Sequence, residues 1–209
     1  MANMSTDLNT HLATTSFAND AFSSGQVGSK LWLCQSLENV LKDQSDERRH
    51  VVWIYGGWQG VLGFMLLSRG NASLPIQCVR SFDLDPACEK VANVLCENWV
   101  WREWQFRAFT KDCNELTPDT ESEFGEKPTI IVNTSVEHFD DKTWFERIPK
   151  GTIVVLQASD FEHDGAHSLY ATKEQLAAAF PVSETLFLDQ LRFDYGTWGF
   201  NRQMLIGVR

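Results

Sequence analysis

The chain has 209 residues, 43% of them apolar and 22% charged, a balance that suits one globular domain with a substantial core and leaves little room for two. Its formal net charge of −10 at pH 7 sets the whole-molecule field against phosphate backbones and anionic lipid, so a small molecule or a protein is a more natural partner than nucleic acid or a membrane. The five cysteines (Cys34, Cys78, Cys88, Cys96, Cys113) are odd in number, lack CxxC spacing and fall mostly in apolar runs, so they read as the reduced, buried thiols of a cytoplasmic protein.

In chain order, residues 1–25, MANMSTDLNTHLATTSFANDAFSSG, are rich in Ser, Thr and Asn and weakly periodic. They predict a frayed arm, or a loose lid, ahead of a single α/β domain over residues 26–209. No charged and then apolar leader opens the chain, and no apolar run approaches the roughly 20 residues of a membrane span. From Lys30, KLWLCQSLENVLKDQ places Leu33, Leu37, Val40 and Leu41 on one helical face. After the charged break SDERRH, VVWIY reads as a strand and GVLGFMLLSRG as a helix. IQCVRSFDLD follows as a strand and PACEKVANVLCENWV as a helix with Pro86 in its first turn. QFRAFTKD and PTIIVNTS are the third and fourth strands, TWFERIP a short helix and GTIVVLQAS the fifth strand.

Apolar strands separated by helices predict a parallel sheet covered on both faces. The ending differs. After a helix in TKEQLAAAF, the strands SETLFLDQLRF and NRQMLIGVR are joined only by DYGTWGF, too short for a crossover, so they pair antiparallel. The fold class is therefore α/β: a seven-stranded, mostly parallel sheet with helices on both faces and a C-terminal antiparallel hairpin.

The joint between the first strand and its helix, YGGWQG, holds more glycine than a plain turn needs. In open α/β sheets ligands lie outside the carboxyl ends of the strands, where glycines let backbone N–H groups approach closely. Gly56, Gly57 and Gly60 fit that task. Asp83, in SFDLDP at the end of the second strand, stands 26 positions beyond Gly57, near the offset of about 20 at which an acid meets ribose hydroxyls. Asp112, in KDC at the end of the third, is placed to accept from an adenine amino group.

This order of features over residues 50–209 resembles the class I S-adenosylmethionine-dependent methyltransferases. The resemblance implies S-adenosylmethionine as cofactor. Gly56, Gly57 and Gly60 lie along its methionine part, Asp83 on the ribose and Asp112 with Cys113 at the adenine, with Tyr55, Trp58, Leu84 and Asn133 as flanking contacts. Where the family usually has GxGxG this chain has YGGWQG, which leaves room for a different transferred group. The turn also resembles that of the nicotianamine synthases, which transfer an aminocarboxypropyl group with the same fold and cofactor. A nicotinamide-dependent oxidoreductase shares the glycine turn and the acid, and a non-catalytic interaction module on this fold is a third alternative.

The resemblance places substrate handling at IIVNTSVEHF, the end of the fourth strand. Asn133 stands where amino-group methyltransferases begin an NPPY-type motif, although Pro-Pro-Tyr is absent. Glu137 and His138 supply a carboxylate and a group that titrates near neutrality, a usable pair for orienting an acceptor and taking its proton. Tyr195 and Trp198 are candidates to cap the pocket from the hairpin loop. QASDFEHDGAH crowds Asp160, Glu162, His163, Asp164 and His167 together. Its spacing matches no dedicated metal motif, which favours an acidic loop lining the pocket over a divalent-metal site. ENWVWREWQFR interleaves Trp99, Trp101 and Trp104 with Arg102 and Arg107, and reads as aromatic packing at a sheet edge before it reads as a base-stacking or partner surface.

Overall fold

The computed structural model of the protein describes residues 16–44, 48–102, 104–120, 123–162 and 165–209. Helix α1 (Ser24–Asp43) leads into β1 (His50–Tyr55), α2 (Val61–Ser68), β2 (Ile76–Asp83), α3 (Pro86–Leu95), α4 (Glu97–Val100) and β3 (Phe106–Thr110). Then come β4 (Ile130–Asn133), a single 3-10 turn at Val136–His138, α5 (Thr143–Glu146), β5 (Ile153–Ser159), α6 (Lys173–Ala179), β6 (Glu184–Asp194) and β7 (Gly199–Val208). The seven strands form one sheet in the order β3-β2-β1-β4-β5-β7-β6, with β1 to β5 parallel and β7 antiparallel to both neighbours.

The hairpin inserts its second strand into the sheet and leaves its first at the edge. Composition explains the choice: β7 buries Arg202 to Gly207 in an unbroken run, whereas β6 is largely exposed and suits an edge. Strand β1 is buried along its whole length and feeds two cores by simple alternation. Val52 and Ile54 join Leu33, Leu37, Leu62 and Phe106 on one face, while Val51, Trp53 and Tyr55 join Phe82, Trp144 and Phe180 on the other.

Two boundaries differ from the sequence expectation. Helix α1 begins six residues before Lys30, capped by the Ser23 hydroxyl, which accepts from Gln26 N–H at 3.3 Å. Its first turns carry glycines of poor helix propensity because a Cβ at Gly25 or Gly28 would fall 2.8 Å from Tyr195 or Phe193; the hairpin packs there. The helix expected over residues 86–100 breaks at Cys96 into α3 and α4.

The last ten residues of the expected arm lie against the body. Ala21 is fully buried, and Ala18 N–H donates to Gln59 Oε1 at 2.9 Å. Residues 1–15 lie outside the described residues. All five cysteines are free and buried, and among the described residues no helix is long and apolar enough to cross a membrane.

Candidate active site

A cavity of about 1000 Å³ opens above the carboxyl ends of the central strands. It is walled by the turn after β1, the loops after β2 and β3, the β4 turn, the end of β5, the start of α1 and the tip of the β6–β7 hairpin.

The glycine turn divides its labour. Gly57 donates its N–H to Phe82 O at 2.9 Å, and a Cβ there would stand 1.9 Å from Ser81 Oγ, so this glycine lets the turn press against β2. Gly60, at φ +80°, packs against α3, where a Cβ would fall 2.8 Å from Ala92 Cβ, and it does not line the cavity. Its expected cofactor contact is thus replaced by a packing role. Gly56, at φ +63°, does line the cavity, and its missing side chain keeps the space beside Ser135 and Phe139 open. Trp58 adopts φ +48°, a conformation that costs a non-glycine residue on the order of 1 kcal/mol. It is held there by its N–H, which donates to Asp83 Oδ2 at 2.8 Å. Gln59 is buried and secures Ala18, so the turn also fastens the segment that closes the cavity from the N-terminal side.

Asp83 accepts from Trp58 N–H and, through Oδ1, from Asp85 N–H at 3.1 Å, and it lines the cavity with acceptor capacity left on its carboxylate. Leu84 lines the same wall, 69% exposed. Asp112 accepts from Asn114 N–H at 2.8 Å and stands beside Cys113, whose thiol is pushed up to about 12 by burial and stays neutral. Both line the cavity. Tyr55 does not: its ring is wedged between Phe82 and Trp144, and burial raises its phenol so that it stays protonated.

At the end of β4 the expected trio separates. Asn133 is fully buried behind the wall, its Oδ1 accepting from Ser135 N–H at 2.9 Å in a turn that brings Thr134 and Ser135 to the cavity. Asn133, expected at the ligand, does not itself line the cavity. Glu137 reaches the lining, but its Oε1 is committed to Arg202 Nη1 at 3.0 Å, with both side chains exposed by less than a tenth. The pair joins the β4 turn to β7. His138 is exposed and lines the cavity, its Nδ1 3.0 Å from the Gly165 carbonyl. A carbonyl only accepts, so in this contact Nδ1 is the donor.

Beyond β5, Asp160 is clamped to β7 by Asn201, whose N–H and Nδ2 donate at 2.7 and 2.6 Å. His167 Nδ1 lies 2.9 Å from Asp140 Oδ1, while His163 and Asp164 lie outside the described residues. Among the described residues, no group of three His, Cys, Asp or Glu side chains converges as a metal-ligand set. Tyr195 and Trp198 both line the cavity, stacked at 4.5 Å, with Phe161 and Phe200 beside Trp198. In the tryptophan-rich stretch Trp99 packs on Phe64, Arg107 lies over the Trp104 ring at 4.6 Å, and Trp101 is 80% exposed; none of them lines the cavity.

Two cationic residues that the sequence reading did not single out also line the cavity. Lys30 is 7% exposed and donates to Gln26 Oε1; burial first, and Arg202 second, bring its ammonium down to about 7. Its signal lay in the helical spacing: Lys30, Leu33 and Leu37 share the apolar face, where a charge is out of place. Arg202 sits likewise inside a buried strand run.

No protein-family profile matches the chain, and no curated protein is detectably similar in sequence. Solved structures do match. Magnesium protoporphyrin IX methyltransferase (ChlM) from Synechocystis PCC 6803 with bound SAM superposes with a TM-score of 0.57 at 12% identity, over 98% of this chain and 92% of that one. YcgJ from Bacillus subtilis gives 0.55 at 12% identity over 83% and 97%. The bifunctional kinase-methyltransferase WbdD gives 0.56 at 17% identity over 96% of this chain and 46% of that protein. At these identities the likeness is one of architecture: the chain has the class I methyltransferase fold.

Proposed function

We propose that the chain is an S-adenosylmethionine-dependent methyltransferase acting on a small molecule or a protein. The observation that carries this reading is one cavity, at the carboxyl ends of the strands of a class I fold, lined together by Gly56 to Trp58, Asp83, Leu84, Asp112, Cys113 and the β4 turn. The donors and acceptors fit the cofactor. Asp83 is an acceptor for ribose hydroxyls, Asp112 for an adenine amino group, Leu84 an apolar cover for a ring, and Gly56 leaves the close backbone approach that a Cβ would fill.

When bound, S-adenosylmethionine supplies a methyl group on a sulfonium, which is itself a good leaving group. The chain's own contribution is then to hold the acceptor in line, exclude water and remove a proton. In this reading Thr134 and Ser135 border the methyl position, the aromatic tip of the hairpin covers the acceptor, and His138 Nε2 takes the acceptor's proton. The Glu137–Arg202 pair holds the β4 turn against β7 so that His138 keeps its place. Photocrosslinking with methyl-labelled S-adenosylmethionine tests the site. The label is expected in peptides holding Gly56–Trp58, Asp83–Leu84 or Asp112–Cys113, and to be competed away by S-adenosylhomocysteine; label elsewhere, or none, overturns the reading.

A further inference from the structure

The tip of the β6–β7 hairpin presents a set of aromatic rings to the cavity. Trp198 is 51% exposed and Phe161, two residues beyond β5, is 42% exposed, and both lie in the cavity wall with their rings 5.7 Å apart. Contiguous exposed rings inside a cavity mark a binding surface. Their arrangement is ordered. Tyr195 and Trp198 stack at 4.5 Å and 19°, and Phe200 lies 6.4 and 6.3 Å from them at 21° and 19°, so three cavity-lining rings are nearly parallel. Phe161 is inclined to Trp198 by 45° and to Phe200 by 55°.

The tip is held by its own bonds. Tyr195 N–H donates to Trp198 O at 2.9 Å, Gly196 N–H to Asp194 Oδ1 at 2.8 Å, and the Ser24 hydroxyl to Tyr195 Oη at 3.2 Å. Behind it Phe193 and Phe200 face each other across the hairpin at 5.2 Å and 14°, with Phe193 seated where Gly28 leaves room. A platform fixed in this way costs a ligand little ordering entropy.

From this geometry we infer that Tyr195, Trp198, Phe200 and Phe161 form the subsite for a planar aromatic ring of the acceptor. The inference deepens the methyltransferase reading and rests on the same cavity. Parallel rings favour a flat guest laid along them, and an inclined ring favours contact with that guest's edge, the two geometries that aromatic pairs prefer. A saturated ring of similar size finds the same apolar area without the stacking. Sheet order keeps this subsite apart from the expected adenosine end. Asp112 follows β3 and Asp83 ends β2, five and four strands from β7, which at the usual strand spacing is roughly 24 and 19 Å. The β4 turn with Thr134 and Ser135 is only two strands from β7, roughly 10 Å, so a ring on the platform extends its reactive substituent toward that turn.

Ligand-observed NMR titration of the full chain, with and without S-adenosylhomocysteine, tests the subsite with two pairs of probes: 2-naphthol against decahydro-2-naphthol, and p-cresol against 4-methylcyclohexanol. Each pair keeps the hydroxyl and the carbon skeleton and removes the π face. At least one arene is expected to bind wild type about 5-fold or more tightly than its saturated partner, and to bind Trp198→Leu about 5- to 10-fold more weakly than wild type. Trp198→Phe, which keeps a ring, is expected to retain most of that affinity. Trp101→Leu, at a tryptophan outside the cavity, is expected to retain all of it. Equal affinity within both pairs, a loss in Trp198→Leu no greater than in Trp101→Leu, or silence from both arenes overturns the inference. Titrating S-adenosylmethionine into the same samples separates the two readings. Arene binding that depends on Trp198 without adenosyl binding removes the methyltransferase reading and leaves the ring subsite standing, and adenosyl binding without arene binding does the reverse. Should Trp198→Leu fail to fold, Phe161→Leu and the wild-type preference within each pair carry the test.

Discussion

At the scale of single residues, the cavity wall is shaped by atoms that are absent as much as by those present. Gly57 is the sharpest case: a Cβ there meets Ser81 Oγ at 1.9 Å and Ser81 Cβ at 3.2 Å. Gly57→Ala is expected to lower stability by about 1–3 kcal/mol in urea denaturation, and Ser81→Ala in the same chain to recover part of the loss. Lys30 gives a second expectation. The unfolded chain titrates this group near its ordinary 10.5 and the folded chain near 7, so above pH 7 the unfolded state binds more protons and stability rises with pH. Cys34, Cys96 and Cys113 have the opposite effect once unfolded thiols ionise near 9, their folded values being raised by burial. Cys78 and Cys88 are raised likewise, so the window runs only from pH 7 to about 8, where wild type gains more stability per pH unit than Lys30→Met. Equal slopes would contradict the account of Lys30. Asp83 and Asp112 were legible in the sequence because acids at strand ends follow from topology. Lys30 and Arg202 were less so, because residues 172 apart in sequence come to line one cavity only once the hairpin has inserted β7 beside β5.

At the scale of elements, the site depends on three fastenings between segments distant in sequence. Gln59 ties the N-terminal segment to the glycine turn, Asp83 ties that turn to β2, and Glu137 with Arg202 ties the β4 turn to β7. Gln59→Ala is expected to speed hydrogen exchange at residues 17–22 while costing only about 1 kcal/mol of global stability; unchanged exchange would mean that the amide bond does not hold the segment. Glu137→Gln leaves Arg202 as a buried charge without its partner and is expected to cost about 3–5 kcal/mol, with Glu137→Leu and Arg202→Met together costing less than Glu137→Gln alone. Periodicity and strand chemistry carried every element but could not place these ties. The sequence also hid the start of α1, where Gly25 and Gly28 weaken the helix signal in exchange for room beside Tyr195 and Phe193. The family resemblance put Asn133 and Tyr55 at the ligand, but both side chains are fully buried in the sheet's packing and neither lines the cavity.

At the scale of the whole molecule, a parallel five-stranded core places its strand ends in one crevice, and the antiparallel hairpin adds an aromatic tip over the far side. That division suits a cofactor above β1 to β3 and an acceptor above β4, β5 and β7. The net charge of −10 argues against a nucleic-acid backbone as the acceptor's carrier. The most direct test of the central claim is calorimetric titration of S-adenosylmethionine and S-adenosylhomocysteine, with NADH as control, into wild type and Asp83→Ala. The account expects both adenosyl compounds to bind wild type, NADH not to bind, and affinity to collapse in an Asp83→Ala chain that still unfolds cooperatively. No binding of either adenosyl compound to wild type, or binding that Asp83→Ala leaves unchanged, would contradict it.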